Sequence, residues 1–117
     1  MNRGRPLQPR PFYPIGQIKA MIRSGNIEVK QPALETAYND FLWTQAEIEK
    51  CLLALNDRFY EDDRQRNHFF KTEDHLRFAN TKMDYYKVRD FFGESVYLHF
   101  YIHPDTIKVT VSSFKRL

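Results

Sequence analysis

The spacing of hydrophobic residues changes period midway along the chain, from helical to alternating. Ile15, Ile18 and Ile22 recur at helical intervals, and Gly25 stands where a helix C-cap belongs. The short run "NIEVK" predicts a strand. Pro32 then suits the first turn of a second helix, ahead of a stripe of Ala33, Leu34, Ala37 and Tyr38. Thr44 and Glu47 open a third helix with capping-box spacing, in which each side chain meets the other's free backbone N–H. Trp43 precedes that cap and can staple onto Ile48, while Ile48, Cys51, Leu52 and Leu55 follow at the spacing of a buried face. Trp43 therefore reads as structural rather than as a platform for bases.

The mixed-charge run "NDRFYEDDRQRN" breaks this periodicity and predicts a solvated loop. Beyond it, "HFFKT", "HLRFANT" and "KMDYYKV" are rich in the aromatic and β-branched residues that strands favour. In "VYLHFYIH" the alternation is faultless: Val96, Leu98, Phe100 and Ile102 share one face, Tyr97, His99, Tyr101 and His103 the other. "HPDT" reads as a turn with Pro104 at its second position. After it, Ile107, Val109 and Val111 predict an inner face, and Lys108, Thr110 and Ser112 an outer one. Strict alternation would carry Lys115 inward, at a large desolvation penalty. A bulge at Ser112 and Ser113, or departure of the chain from the sheet, turns it outward and buries Phe114 instead. Helices followed by strands predict an α+β fold, an antiparallel sheet with N-terminal helices packed on one face.

A length of 117 residues fits one domain. The first fourteen residues hold four of the six prolines and three arginines, so residues 1–14 read as a flexible basic arm and residues 15–117 as the domain. Eighteen Lys and Arg against fifteen Asp and Glu make the chain mildly basic, at +3, which admits an anionic partner. The asymmetry says more: five basic residues precede the first acidic one, Glu28. Cys51 is the single cysteine, which rules out an internal disulfide and a cysteine-rich zinc site, and its helical position makes it a small core residue. No stretch has the length and apolarity of a membrane span or secretory signal, so a cytoplasmic location and no membrane partner are expected.

The outward side of the alternating strand is where chemistry is expected. Phosphates take cations and unstacked bases take aromatic rings, so a face bearing Tyr, His, Lys and Arg suits RNA. It also suits RNA cleavage without a metal or other cofactor. There the ribose 2′-OH attacks the neighbouring phosphate, one group takes its proton, another protonates the departing 5′ oxygen, and cations steady the charged centre. His99 and His103 lie about 13 Å apart by strand rise, too far to share a metal ion. The same outward Tyr residues equally fit a protein interface, where tyrosine is common.

The ending "SVYLHFYIHPDTIKVTVSSFKRL" resembles the closing hairpin of the MqsR-type toxins of bacterial toxin–antitoxin systems, which share the RelE-like ribonuclease fold. "YPIGQIKAMIRSGNIEVKQPALETA" is similar to that family's opening helix, strand start and following helix. The resemblance runs from about Tyr13 to the C-terminus, with the stretch between Asp57 and Asn67 looking like an insertion. It implies a metal-independent mRNA endoribonuclease, the toxin of a type II pair, whose partners are mRNA and a cognate antitoxin protein, and which works free or on the ribosome. The family's functional residues fall on Lys71 of "FFKT", Tyr97, and Lys115 of "SFK". Its glutamine is absent: Met83 stands there and cannot hydrogen-bond a base or phosphate as glutamine does, which puts the cleavage preference and the activity in question. Lys82, at the family's Trp position, offers a phosphate contact in exchange. The expected set is thus Lys71, Tyr97, Lys115, His99 and His103 for catalysis, with Lys82, Tyr101 and Arg116 for RNA binding and His68 and His75 in reserve. The alternative is a non-catalytic module that keeps this fold to bind RNA or protein.

Overall fold

A computed structural model describes residues 8–61 and 66–117. Three helices, α1 (Ile15–Arg23), α2 (Gln31–Phe41) and α3 (Gln45–Leu53), precede most of the sheet. The strands are β1 (Ile27–Val29), β2 (Phe69–Asp74), β3 (Lys82–Phe91), β4 (Glu94–Ile102) and β5 (Val109–Arg116), laid side by side in the order β1-β5-β4-β3-β2. The α+β expectation holds, with one refinement. β1 runs parallel to β5, Ile27 beside Val109, while every other pair is antiparallel.

Local chemistry fixes the helix ends. Gly25, at φ +80°, lets its N–H reach Ile22 O at 2.9 Å while the Asn26 N–H reaches Met21 O at 2.9 Å, closing α1 with a left-handed cap. At α3 the Thr44 N–H donates to Glu47 Oε1 at 2.7 Å, as the capping-box spacing requires, and this hydrogen bond holds the Glu47 carboxyl below its usual range. Trp43 stacks on Phe41 at 4.4 Å and meets Phe91 and Phe114, so it is a packing residue. Cys51 is buried, and burial pushes its thiol up to about 12, as an inert core residue requires.

One face of the sheet is sealed by these helices. Ile18, Ile22, Ala33, Ala37, Ile48 and Leu52 bury against Tyr86, Val88, Val96, Leu98, Phe100, Val109, Val111 and Phe114. Each large side chain so buried stabilises the fold by about 1.5–3 kcal/mol. Thr36 Oγ1 donates to Phe114 O at 2.6 Å, tying α2 to β5.

Several expectations are corrected. Tyr38 is exposed and Phe41 takes the buried place, because the turn of α2 rotates Tyr38 off the stripe. "HLRFANT" supplies no strand: residues 75–81 form bends and turns, with the His75 N–H bonded to Thr81 O at 2.8 Å. Ile107 is exposed at φ +53° and serves the turn, and Thr110, expected outside, is fully buried in the centre of the sheet. Within the mixed-charge run, Tyr60 is buried and Phe59 pairs with Phe69, while residues 62–65 lie outside the described residues. Residues 1–7 of the arm also lie outside them. Its last part is anchored: the N–H groups of Phe12 and Tyr13 donate to the two Asp84 carboxylate oxygens at 3.0 and 2.9 Å, and Tyr13 Oη donates to Lys82 O at 2.7 Å. Among the described residues no helix is long and apolar enough to cross a membrane.

Candidate nucleic-acid interface

The opposite sheet face carries the polar side chains, and strand register orders them. Lys87, Tyr97 and Lys115 are direct cross-strand neighbours on β3, β4 and β5. Beside them runs a second row, Lys71, Tyr85, His99 and Ser113 on β2 to β5. Two bulges add to this face. In β2, Phe69 pairs with Tyr86 and Lys71 with Tyr85, which leaves Phe70 as an extra residue. In β5, His99 faces Ser113 and Phe100 faces Val111, which leaves Ser112 extra. This second irregularity is the one that burial of Phe114 demands, and it turns Lys115 to solvent.

Phe70, Lys87, Tyr97, Lys115, Arg116 and Leu117 line a shallow hollow of about 300 Å³. Lys87 Nζ lies 3.8 Å from the Phe70 ring centroid and Lys115 Nζ 5.8 Å from that of Tyr97, both within cation–π range. Among the described residues no carboxylate comes within ion-pair distance of either lysine. Lys71 differs. It sits over the Tyr85 ring at 4.8 Å, but its ammonium is bonded to Glu73 at 2.5 Å, which raises its pKa and offsets its charge toward an incoming anion.

The titratable groups between these cations are neutral near pH 7. Burial raises the Tyr97 phenol above its ordinary value, against a smaller opposing pull from Lys71. Burial and then the Lys115 charge press His99 down to about 4. The His99 ring lies 4.4 Å from that of Tyr85, and its Nδ1 is 2.8 Å from Ser112 Oγ. A protonated phenol, an uncharged imidazole and two unpaired ammoniums thus share one open face. This is the equipment for binding a phosphodiester and moving protons across it.

The other expected residues stand elsewhere. Tyr101 is buried, 3% exposed, because residues 75–81 fold over it and bring His75 to 4.5 Å and Phe78 to 6.0 Å. His103 joins that cluster through Phe78 at 4.8 Å, and its Nδ1 accepts the Asp105 N–H, so it serves the turn at the far end of β4. His75 Nδ1 likewise accepts the Arg77 N–H at 3.0 Å. Lys82 is paired with Asp74 at a hairpin end. Arg116 rims the hollow but is engaged by Glu94 at 2.6 Å and by Asp40, over the Phe41 ring. His68 is turned toward Asn56, whose N–H it accepts at 3.1 Å, and burial pushes it down to about 4. Met83 faces Glu73 across β2 and β3, partly buried.

Lys87, Tyr85 and Phe70 escaped the sequence reading. The parity signal for the first two existed in "KMDYYKV", where Met83, Tyr85 and Lys87 alternate with Asp84, Tyr86 and Val88. A buried aspartate among the inward residues hid it. Compared with known proteins, the chain matches no family model and no curated protein.

Proposed function

We propose that this chain is a metal-independent mRNA endoribonuclease of the RelE-like ribonuclease fold, the toxin of a type II toxin–antitoxin pair. The observation that carries the reading is the cross-strand row Lys87–Tyr97–Lys115, cations without a carboxylate partner among the described residues on both sides of a protonated phenol on an open sheet face. In this reading Lys87 and Lys115 hold the scissile phosphate and neutralise its pentacovalent state. Tyr97 protonates the departing 5′ oxygen, and neutral His99 accepts the 2′ proton. Lys71, tempered by Glu73, steers the neighbouring phosphate, and bases stack on Tyr85 and Phe70. Arg116 and Lys82 lie at the edges of the RNA path. The partners are mRNA and a cognate antitoxin that covers this face in the cytoplasm, with the ribosome as the place of action or not.

Two observations favour a second reading, a binding module without catalysis: Met83 in place of a hydrogen-bonding side chain, and the Lys71–Glu73 pair. One experiment separates the two. Purified protein is mixed with end-labelled mRNA in the presence of a chelator, beside Tyr97→Phe, Lys87→Ala and Lys115→Ala. The nuclease reading expects fragments ending in cyclic phosphate, and a loss of about 10²-fold or more for each variant. Binding without fragments favours the module, with each lysine lost lowering the salt slope by roughly 0.7 for single strands. Binding indifferent to salt would remove nucleic acid from both.

A further inference from the structure

Ser112 is the extra residue of the β5 bulge, and the bulge is what gives it a role. Val111 before it and Phe114 after it are fully buried, so Ser112 and Ser113 both turn to the polar face. A bulge re-aims a side chain at the expense of a ladder position. Here the re-aimed hydroxyl lies 2.8 Å from His99 Nδ1 and 3.5 Å from the His99 carbonyl oxygen. A carbonyl oxygen only accepts, and a hydroxyl has one proton to give and lone pairs to receive with. The direction of the 2.8 Å contact depends on the tautomer: if the hydroxyl directs its proton at the carbonyl, Ser112 Oγ receives the proton of Nδ1–H. A neutral imidazole carries one proton, so Nε2 is then bare.

The free nitrogen is also accessible. Among the described residues, Tyr86 Oη is the one side-chain polar atom that is both sealed and without a partner. His99 Nε2, which no described group engages, therefore touches solvent. The Tyr85 ring at 4.4 Å braces one side of the imidazole, and Ser112 fixes its rotation from β5.

We infer that Ser112 is a positioning residue that holds His99 in the Nδ1-protonated tautomer, so that Nε2 is the atom that receives the ribose 2′ proton. The inference rests on the nuclease reading above. In the step, the 2′ O–H bond breaks and its proton passes to Nε2 while the 2′ oxygen bonds to phosphorus. The phosphorus–5′ oxygen bond breaks, and the leaving oxygen takes the phenolic proton of Tyr97. Imidazolium then returns its proton to the phenolate through solvent, and both groups are reset. The work is divided: Lys87, Tyr97 and Lys115 hold the phosphate and release the product, while His99, braced by Tyr85 and oriented by Ser112, takes the proton of the attacking hydroxyl.

The test has a readout that needs no activity. Nitrogen-15 spectra of the wild-type imidazoles at pH 7 are expected to show His99 protonated at Nδ1 and bare at Nε2. In Ser112→Ala the signal shifts toward the opposite tautomer. On a single-stranded RNA oligonucleotide, Ser112→Ala loses about 10²-fold in kcat, with KM within about twofold, and Ser112→Thr restores most of it. Backbone amide spectra of the same samples establish that β5 keeps its register. An Nε2-protonated His99 in the wild type would overturn the inference, as would a Ser112→Ala variant with unchanged kcat. Wild-type protein that shows the expected tautomer but cleaves no RNA would overturn the nuclease reading while leaving the Ser112–His99 assignment in place.

Discussion

Replacing Tyr86 with phenylalanine should make this protein more stable. Tyr86 is fully buried, and its hydroxyl has no hydrogen-bond partner among the described residues. Burial, with Asp84 and Asp57 adding to it, pushes the phenol far up, so it stays a neutral and unpaid donor at any practical pH. A buried hydroxyl left unsatisfied costs about 1–3 kcal/mol. The ring would keep its contacts, since the stack on Phe100 at 5.5 Å and 11° and the edge contact with Phe69 at 5.6 Å involve ring atoms alone. The void left by one oxygen is on the order of 10–15 Å³, a penalty of about 0.3 kcal/mol. The net gain is therefore about 1–2 kcal/mol, or about 3–5 °C in Tm per kcal/mol for a domain of this length. Trp43, the only tryptophan, is stacked on Phe41 beneath the helices and reports unfolding by fluorescence. Urea titrations of both proteins should show a higher midpoint with the slope unchanged. A loss of 1 kcal/mol or more in Tyr86→Phe would mean that the hydroxyl is satisfied in solution, and the accounting above would fail.

Acid should weaken the fold through two imidazoles. His68 and His99 are both pressed down to about 4, so between there and 6.5 the native state binds fewer protons than the unfolded chain. Their stabilisation is complete above 6.5 and is lost as pH falls toward 4, by about 1–2 kcal/mol each after allowance for partial exposure. Asp84, raised by burial, slopes the other way, so the check is whether His68→Gln with His99→Gln flattens the urea midpoint between pH 4 and 7. Asp84→Ala should destabilise by about 2–3 kcal/mol, because it strands the Phe12 and Tyr13 N–H groups and the Thr72 hydroxyl. Chymotrypsin should then cut after Phe12 markedly faster, and an unchanged rate would mean that the arm is held by other contacts. Phe92 turns the β3–β4 hairpin with Gly93 at φ +51° and +75°, a two-residue turn that favours asparagine first. Phe92→Asn should raise stability by about 0.5–1 kcal/mol in thermal melts.

Reading the sequence went furthest where a local rule decides the outcome. The capping box at Thr44, the glycine after Arg23 and the inward series Val96, Leu98 and Phe100 each follow from neighbours a few positions away. Even the bulge near Ser112 was legible, since a lysine and a phenylalanine could not both obey parity. What failed depended on distant partners. Tyr101 obeys the alternation but is covered by a loop whose aromatic residues mimic a strand. Thr110 is buried because β5 lies inside the sheet, and no pattern within "IKVTV" tells a central strand from an edge. At the site, Tyr97 and Lys115 could be paired from the hairpin alone. Lys87 could not, because its relevance comes from β3 lying beside β4, and from a β2 bulge that lays Phe70 beneath its ammonium.

The parallel pairing of Ile27 with Val109 has a consequence for how this protein comes into being. The sheet's interior strand bonds on one flank to a segment from the far side of the sequence, so neither the helical half nor the hairpin half can finish alone. Closing so long a loop is a slow, late event, and it favours folding in milliseconds to seconds over microseconds. Lys115 rides on that same strand. The strand that carries it is therefore locked on both flanks only once the two distant parts of the chain have met.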